Sequence, residues 1–165
     1  MKYTPGWSSH IPILVKILEK TQGDVLELGV GLFSTPLLHW LCQDQQRNLV
    51  SFESQQKYFD LNRQFQSDSH HLSLIADWDQ IDIDRHWSVA FIDHEPAERR
   101  VVEIKRLAKS ADYLIIHDSQ SKEDSFYHYS QIYPLFKYRY DYTQAFPNTS
   151  VLSNFNRLEW LGGKK

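Results

Sequence analysis

The sequence predicts an α/β fold, in which helices cover both faces of a mostly parallel seven-stranded sheet that ends in an antiparallel β-hairpin. Short branched apolar runs alternate with helix-compatible stretches along most of the chain. Two β-prone runs, residues 136–142 and 149–155, close it, and turn-forming residues lie between them. Strands joined by so short a link pair antiparallel, which gives the hairpin.

The helices are marked by the spacing of apolar residues and by signals at their ends. In the first helix Ile11, Leu14 and Leu18 recur at helical intervals, and Gly23 ends it. Pro96 begins the fourth helix, and basic residues near its end suit the helix macrodipole. The predicted helices span residues 8–20, 34–44, 55–66, 96–109 and 122–133.

Branched apolar runs between these helices mark five further strands, at residues 24–28, 48–52, 71–76, 88–92 and 113–116. Segment 78–87, between the third and fourth of them, is too short and acidic for a full helix. Strands joined through helices lie parallel in a sheet, so these five are expected to form its parallel part.

At 165 residues the chain fits one domain, residues 1–165. The net charge of −3 offers no general attraction to nucleic acid, so a small-molecule partner is expected. The single cysteine, Cys42, cannot form an internal disulfide and is expected to be a buried thiol. Because neither a signal peptide nor a membrane-spanning run is recognisable, we expect a cytoplasmic protein with no membrane partner.

The most informative segment is residues 24–35, where a buried strand runs into Gly29 and Gly31 and then into a helix. Glycine tolerates positive φ and has no Cβ, so the backbone can turn sharply there and a ligand can approach it closely. In an open α/β sheet such a turn lies at the carboxyl end of a strand, where nucleotide-like ligands bind.

Four acidic residues lie at or just beyond strand ends. Glu27 is beside the glycines, Glu53 ends the second strand, and Asp77 and Asp93 follow the third and fourth. Any one of them could cap a helix or lie in a solvated loop. Four at the same edge of one sheet favour a ligand site.

This arrangement, together with the terminal hairpin, resembles the Rossmann-like class I S-adenosylmethionine-dependent methyltransferases. In that family the glycine turn faces the methionine part of the cofactor, the acid of strand 2 binds the ribose, and the acid after strand 3 contacts the adenine. The resemblance implies S-adenosyl-L-methionine as the cofactor and eight residues as its contacts: Glu27, Gly29, Gly31, Ser34, Glu53, Asp77, Trp78 and Asp93. For Trp78, packing in the core is an equal alternative to stacking on the adenine.

Two departures from the family pattern are visible. Phe33 stands where the family has its third glycine, so the loop is expected to be less open. Substrate-binding insertions are absent, so the acceptor site is either open or completed by a second subunit of a homo-oligomer.

The chemistry of methyl transfer is expected at the ends of strands 4 and 5, where Asp93-His94 and His117-Asp118 lie. Such pairs resemble a metal-assisted branch of hydroxyl-methylating enzymes, although Ser119 replaces the Asn of the small-molecule O-methyltransferases. Hard cations usually take more carboxylates, so no metal ligands are assigned, and a divalent metal is an alternative only. Without metal, His94 or His117 is the expected general base.

Other polar groups receive more ordinary interpretations. Residues 4–10 could fold over the methyl end of the cofactor as a lid, or form a flexible terminus. The remaining histidines singled out are expected to be structural: His70, His71, His86 and His128. The basic residues of the fourth helix are interpreted as a solvated face with acidic partners: Arg99, Arg100, Lys105, Arg106 and Lys109.

The function predicted from these observations is methyl transfer from S-adenosylmethionine to an oxygen or nitrogen nucleophile of a small molecule or side chain. A nicotinamide-dependent oxidoreductase is the first alternative, because residues 29–34 nearly fit the dinucleotide fingerprint, with Ser34 at its third glycine. The second alternative is a non-catalytic cofactor-binding or assembly module with the same fold.

Overall fold

The computed structural model describes residues 6–163, in which seven strands form one sheet. The strands are β1 Val25–Leu28, β2 Leu49–Glu53, β3 His70–Leu74, β4 Trp87–Ile92, β5 Ala111–Ile116, β6 Tyr138–Tyr142 and β7 Thr149–Ser153. Their order is β3-β2-β1-β4-β5-β7-β6, and the first five are mutually parallel. β7 is antiparallel to both β5 and β6, so the predicted hairpin and fold class are confirmed.

The helices are α1 Ile11–Leu18, α2 Ser34–Asp44, α3 Gln56–Asn62, α4 Arg100–Leu107 and α5 Asp124–Tyr127. Short 3₁₀ turns are formed by Arg63–Phe65, Trp78–Gln80, Ala97–Arg99, Ser121–Glu123, Tyr129–Gln131, Tyr133–Leu135 and Glu159–Gly162. The helical stretch predicted over 122–133 is interrupted in the structure. His128 has the left-handed φ of 57°, which ends α5 and breaks the segment into 3₁₀ turns.

Both faces of the sheet are covered. Along β4, Ala90 and Ile92 join one apolar cluster together with α4, whereas Val89 and Phe91 join a second cluster with α1 and α2. Every residue of β4 is buried, as expected for a central strand with helices on each side. Cys42 belongs to the second cluster as a buried free thiol, and burial raises its pKa to about 12. Within residues 6–163, no helix combines the length and apolar character needed to cross a bilayer.

Candidate active site

A cavity of about 490 Å³ lies at the carboxyl ends of the central parallel strands. Its walls come from the loop after β1 (30–33) and Ser34 at the start of α2, from Glu53 at the end of β2, and from residues that follow β4 and β5. This is the edge at which open α/β sheets bind their ligands. Six of the predicted site residues line this cavity: Gly31, Ser34, Glu53, Asp93, His117 and Asp118.

The two glycines of the turn have different roles. Gly31 lines the cavity, and its N–H donates to Oγ1 of Thr35 over 3.0 Å. Gly29 has a φ of 89°, and a Cβ added to it would lie 2.5 Å from the carbonyl carbon and oxygen of Asp93. Position 29 therefore requires glycine because the backbone that follows β4 packs against it.

Glu53 faces the cavity as a fixed carboxylate. The N–H of Val30 donates to Oε2 over 2.8 Å, and the N–H of Gln55 donates to Oε1 over 2.6 Å. Burial raises the pKa of Glu53, although these backbone hydrogen bonds oppose the shift. Since a carboxylate oxygen accepts more than one hydrogen bond, each oxygen can still accept one from a ligand.

Glu27 is fully buried, and its contacts are within the protein. Thr35 donates to Oε1 over 2.9 Å, and Ser51 donates to Oε2 over 2.7 Å. Behind Ser51 lie His70 and His39, whose ring nitrogens continue the buried chain of hydrogen bonds. Burial raises the pKa of Glu27 to about 7. The expectation of a direct cofactor contact is corrected, because the carboxylate supports the glycine loop through Thr35.

Arg100 lies between the two aspartates that follow β4 and β5. Its Nη2 is 3.0 Å from Oδ1 of Asp93, and its Nη1 is 3.3 Å from Oδ2 of Asp118. Nε donates to the carbonyl of His94 over 2.7 Å, so the guanidinium is held on three sides. Burial raises the pKa of Asp93, but the charges of His117 and Arg100 outweigh it and hold that pKa below its ordinary range.

Both ring nitrogens of His117 face polar partners. Ser9 uses its single hydroxyl hydrogen on the carbonyl of Pro147, so Nε2 of His117, 2.9 Å away, must donate to Ser9 Oγ. Nδ1 lies 3.3 Å from Oδ2 of Asp93, an acceptor. Burial lowers the pKa of His117, but the carboxylates of Asp93 and Asp118 raise it above its ordinary value. These carboxylates favour the protonated ring, and the role of His117 as general base stays a prediction.

His94 is also displaced from the expected catalytic role. Its side chain is fully buried, with Nε2 3.2 Å from Glu103 and the ring 4.1 Å from that of Trp78. The backbone turns after Asp93, so that Asp93 faces the cavity while His94 packs beneath α4. Burial lowers the pKa of His94. We assign it to the structural support of the site.

Asp77 and Trp78 lie outside the cavity wall. Asp77 caps the 3₁₀ turn that follows it, with Oδ1 accepting from the N–H of Asp79 over 2.9 Å. Trp78 is buried, and its indole N–H donates to the carbonyl of Glu95 over 2.9 Å. The packing alternative for Trp78 agrees with this placement.

Comparison with solved structures identifies the fold. Cofactor-bound Rv0187 from MTB has a TM-score of 0.67 at 16% identity, covering 93% of this chain and 83% of that one. Podospora anserina methyltransferase PaMTH1 with SAH has a TM-score of 0.65 at 10% identity, covering 88% and 76%. The chain has the class I S-adenosylmethionine-dependent methyltransferase fold. Human methyltransferase-like protein 13 with SAH matches at 0.60 and 13% identity, covering 93% and 82%. No family model and no curated protein sequence matches.

Within the methyltransferase fold, the hard-cation site considered from the sequence does not fit. A divalent ion between the acids after β4 and β5 would have to occupy the space where the guanidinium of Arg100 pairs with Asp93 and Asp118. Tyr127 also donates its hydroxyl hydrogen to Oδ2 of Asp118 over 3.0 Å. The two carboxylates therefore already share the guanidinium of Arg100, and Asp118 also accepts the hydrogen bond from Tyr127.

The cavity wall also contains residues that sequence reasoning did not assign to the site, among them Trp7, His10 and Arg100. Arg100 is only 2% exposed, so the solvated face predicted for the fourth helix is wrong at this position. Trp7 and His10 belong to the segment considered as a lid. Its described part, residues 6–10, docks through Ser9 on Pro147, whereas Thr4 and Pro5 lie outside the described residues.

Proposed function

We propose that the protein is an S-adenosylmethionine-dependent methyltransferase that acts on an oxygen or nitrogen nucleophile. The observation that carries the proposal is the Glu53 carboxylate, held by two backbone N–H groups and facing a cavity beside Gly31. Such a carboxylate can accept hydrogen bonds from both ribose hydroxyls of the cofactor. Ser34 lines the same wall, at the start of α2.

The acceptor would lie at the other end of the cavity, toward Asp93, His117 and Asp118. There the protein would align the nucleophile with the sulfonium methyl group, which is the main demand of a single in-line displacement. A small-molecule acceptor is the expectation from the net charge, and a nucleic-acid acceptor is the outcome that would correct it.

The nicotinamide-dependent alternative is less well supported. The dinucleotide-binding sheet is mostly parallel with the strand order 3-2-1-4-5-6, whereas here antiparallel β7 lies between β5 and β6. The alternative of a non-catalytic module predicts cofactor binding without turnover.

Calorimetric titration with S-adenosylhomocysteine tests the proposal. We expect saturable binding to the wild-type chain and at least about tenfold weaker binding to Glu53→Ala, because loss of one charge-assisted hydrogen bond costs about 1.5–3 kcal/mol. Glu98→Ala, which removes an exposed carboxylate outside the cavity wall, is the matched control and should bind like the wild type. Absence of binding at high micromolar concentration would refute the proposal. Methyl transfer from labelled cofactor to a panel of hydroxyl and amine acceptors then separates the enzyme from the non-catalytic module.

A further inference from the structure

The imidazole of His10 is the polar group of the cavity wall whose role the cofactor does not explain. It is 2% exposed, and both ring nitrogens lack a hydrogen-bond partner within the described chain. A buried polar atom without a partner costs about 1–3 kcal/mol. Such a side chain, aimed into a cavity, indicates a ligand that satisfies it.

Two further donor groups lie beside His10. One nitrogen of His10, one of His117 and a carboxylate oxygen of Asp93 all lie within 4.8 Å of one another. The three residues come from different parts of the chain, namely the segment before α1 and the ends of β4 and β5. Two imidazoles and one carboxylate form a ligand set that suits divalent transition metals and leaves coordination positions open.

The surroundings orient these donors as a metal site requires. Nε2 of His117 is hydrogen-bonded to Ser9 Oγ, and Ser9 in turn donates to Pro147, so Nδ1 is the nitrogen directed toward Asp93. Metal-binding histidines usually have their second ring nitrogen held in this way. Arg100 pairs with Oδ1 of Asp93, whereas Oδ2 faces His117.

We propose that His10, Asp93 and His117 bind one divalent transition-metal ion, such as Zn²⁺, at the acceptor end of the cavity. This site is distinct from the position between Asp93 and Asp118, which Arg100 fills, because it uses nitrogen donors and the opposite carboxylate oxygen. Zn–N bonds are about 2.0–2.1 Å long, so the three side chains close slightly around the ion. The ion replaces the proton on Nδ1 of His117, which is released to solvent.

Cobalt(II) is the probe, because its visible absorption reports the ligands that surround it. The full chain, freed of metal by chelation, is titrated with CoCl₂ by calorimetry and absorbance. We expect one equivalent to bind, Zn²⁺ to displace it, and X-ray absorption to show two imidazole ligands. Absence of stoichiometric binding, or a site without imidazole, overturns the proposal.

Variants locate the ion. Loss of a direct ligand in His10→Ala should weaken Co²⁺ binding by more than the roughly 10–100-fold expected for Ser9→Ala, which removes only a supporting residue. His71→Ala, at an exposed histidine of β3, should bind like the wild type. His39→Ala tests the other close pair of histidine nitrogens, His39 and His70, which are 3.2 Å apart. If His39→Ala loses the ion or His10→Ala retains it, the assignment is wrong.

Two controls keep these results interpretable. Circular dichroism establishes that each variant is folded, and His10→Gln replaces His10→Ala if the alanine variant is not. Titration of the metal-free wild type with S-adenosylhomocysteine tests cofactor binding separately. If the protein binds S-adenosylhomocysteine but no metal, the proposed function stands and the metal site is refuted. If it binds metal but no S-adenosylhomocysteine, the metal site stands and the proposed function is refuted.

Discussion

Nη2 of Arg100 lies 3.0 Å from Oδ1 of Asp93, so the first residue of α4 forms an ion pair with the residue that follows β4. The same guanidinium reaches Asp118 after β5 and the carbonyl of His94. Asp118 has the left-handed φ of 56°, a conformation that aspartate tolerates better than most residues. Arg100 therefore joins the ends of β4 and β5 at the cavity wall.

Replacement of Arg100 should strongly destabilise the protein. Arg100→Met leaves the carboxylates of Asp93 and Asp118 without their cation, and breaking a buried ion pair typically costs about 3–5 kcal/mol. Arg100→Lys keeps the charge but not the planar fork, so an intermediate loss is expected. Urea unfolding measures both. Arg157→Met, at an exposed arginine, should change stability by less than about 0.5 kcal/mol. Equal effects at the two positions would contradict the role given to Arg100.

The requirement for glycine at position 29 is also testable. In Gly29→Ala the new Cβ would meet the backbone of Asp93 at 2.5 Å, where no flexible side chain can move aside. We expect a loss of more than about 4 kcal/mol, or no soluble protein. Gly23→Ala is the matched control, since its φ of 97° is similar but its Cβ would meet only Ser88 at 3.5 Å. That variant should lose about 1–2 kcal/mol in chemical denaturation. Similar losses in both variants would mean that backbone conformation, rather than contact with Asp93, requires the glycine.

Local signals predicted most of the fold. The second strand, predicted at 48–52, is observed at Leu49–Glu53. A short apolar run is a local signal, so the sequence of the strand itself was enough to predict it. The helix predicted at 34–44 is observed as Ser34–Asp44. By contrast, nothing in the spacing of 122–133 indicates the left-handed turn at His128.

The candidate site was predictable where a strand end or the glycine turn fixes it. Glu53 and Asp93 face the cavity because Glu53 ends one parallel strand and Asp93 follows another, and such strand ends meet at one edge of the sheet. Arg100 and His10 depend on how α4 and the opening segment pack against that edge, which residue spacing does not encode. His94, next to Asp93, turns away from the cavity because it packs on Trp78 and Glu103. These contacts join separate segments of the chain, so local sequence does not encode them.

Glu27 should make stability fall as the pH rises. Burial raises its pKa from 4.5 to about 7, so between these values the folded state keeps a proton that the unfolded state has lost. The contribution of Glu27 to the free energy of unfolding is therefore greatest below pH 4.5. It falls by on the order of 3 kcal/mol as the pH rises to 7. The difference in unfolding free energy between Glu27→Gln and wild type, measured from pH 4.5 to 8, should change by this amount. A difference that is constant across this range would show that Glu27 ionises normally.

The family resemblance and the structure give different expectations for the loss of Asp77. The resemblance assigns Asp77 to the adenine, and its loss should then weaken binding of S-adenosylhomocysteine as much as the loss of Glu53. In the structure both carboxylate oxygens of Asp77 accept hydrogen bonds within its own 3₁₀ turn, from Asp79 N–H and from the amide of Gln80. We therefore expect Asp77→Ala to lower stability by about 0.5–2 kcal/mol, as for a lost helix cap, and to change the dissociation constant less than threefold. Asp77→Asn, which keeps one capping oxygen, should restore stability. Should calorimetry find Asp77→Ala as defective as Glu53→Ala, the ligand must draw the turn at Trp78–Gln80 into the site.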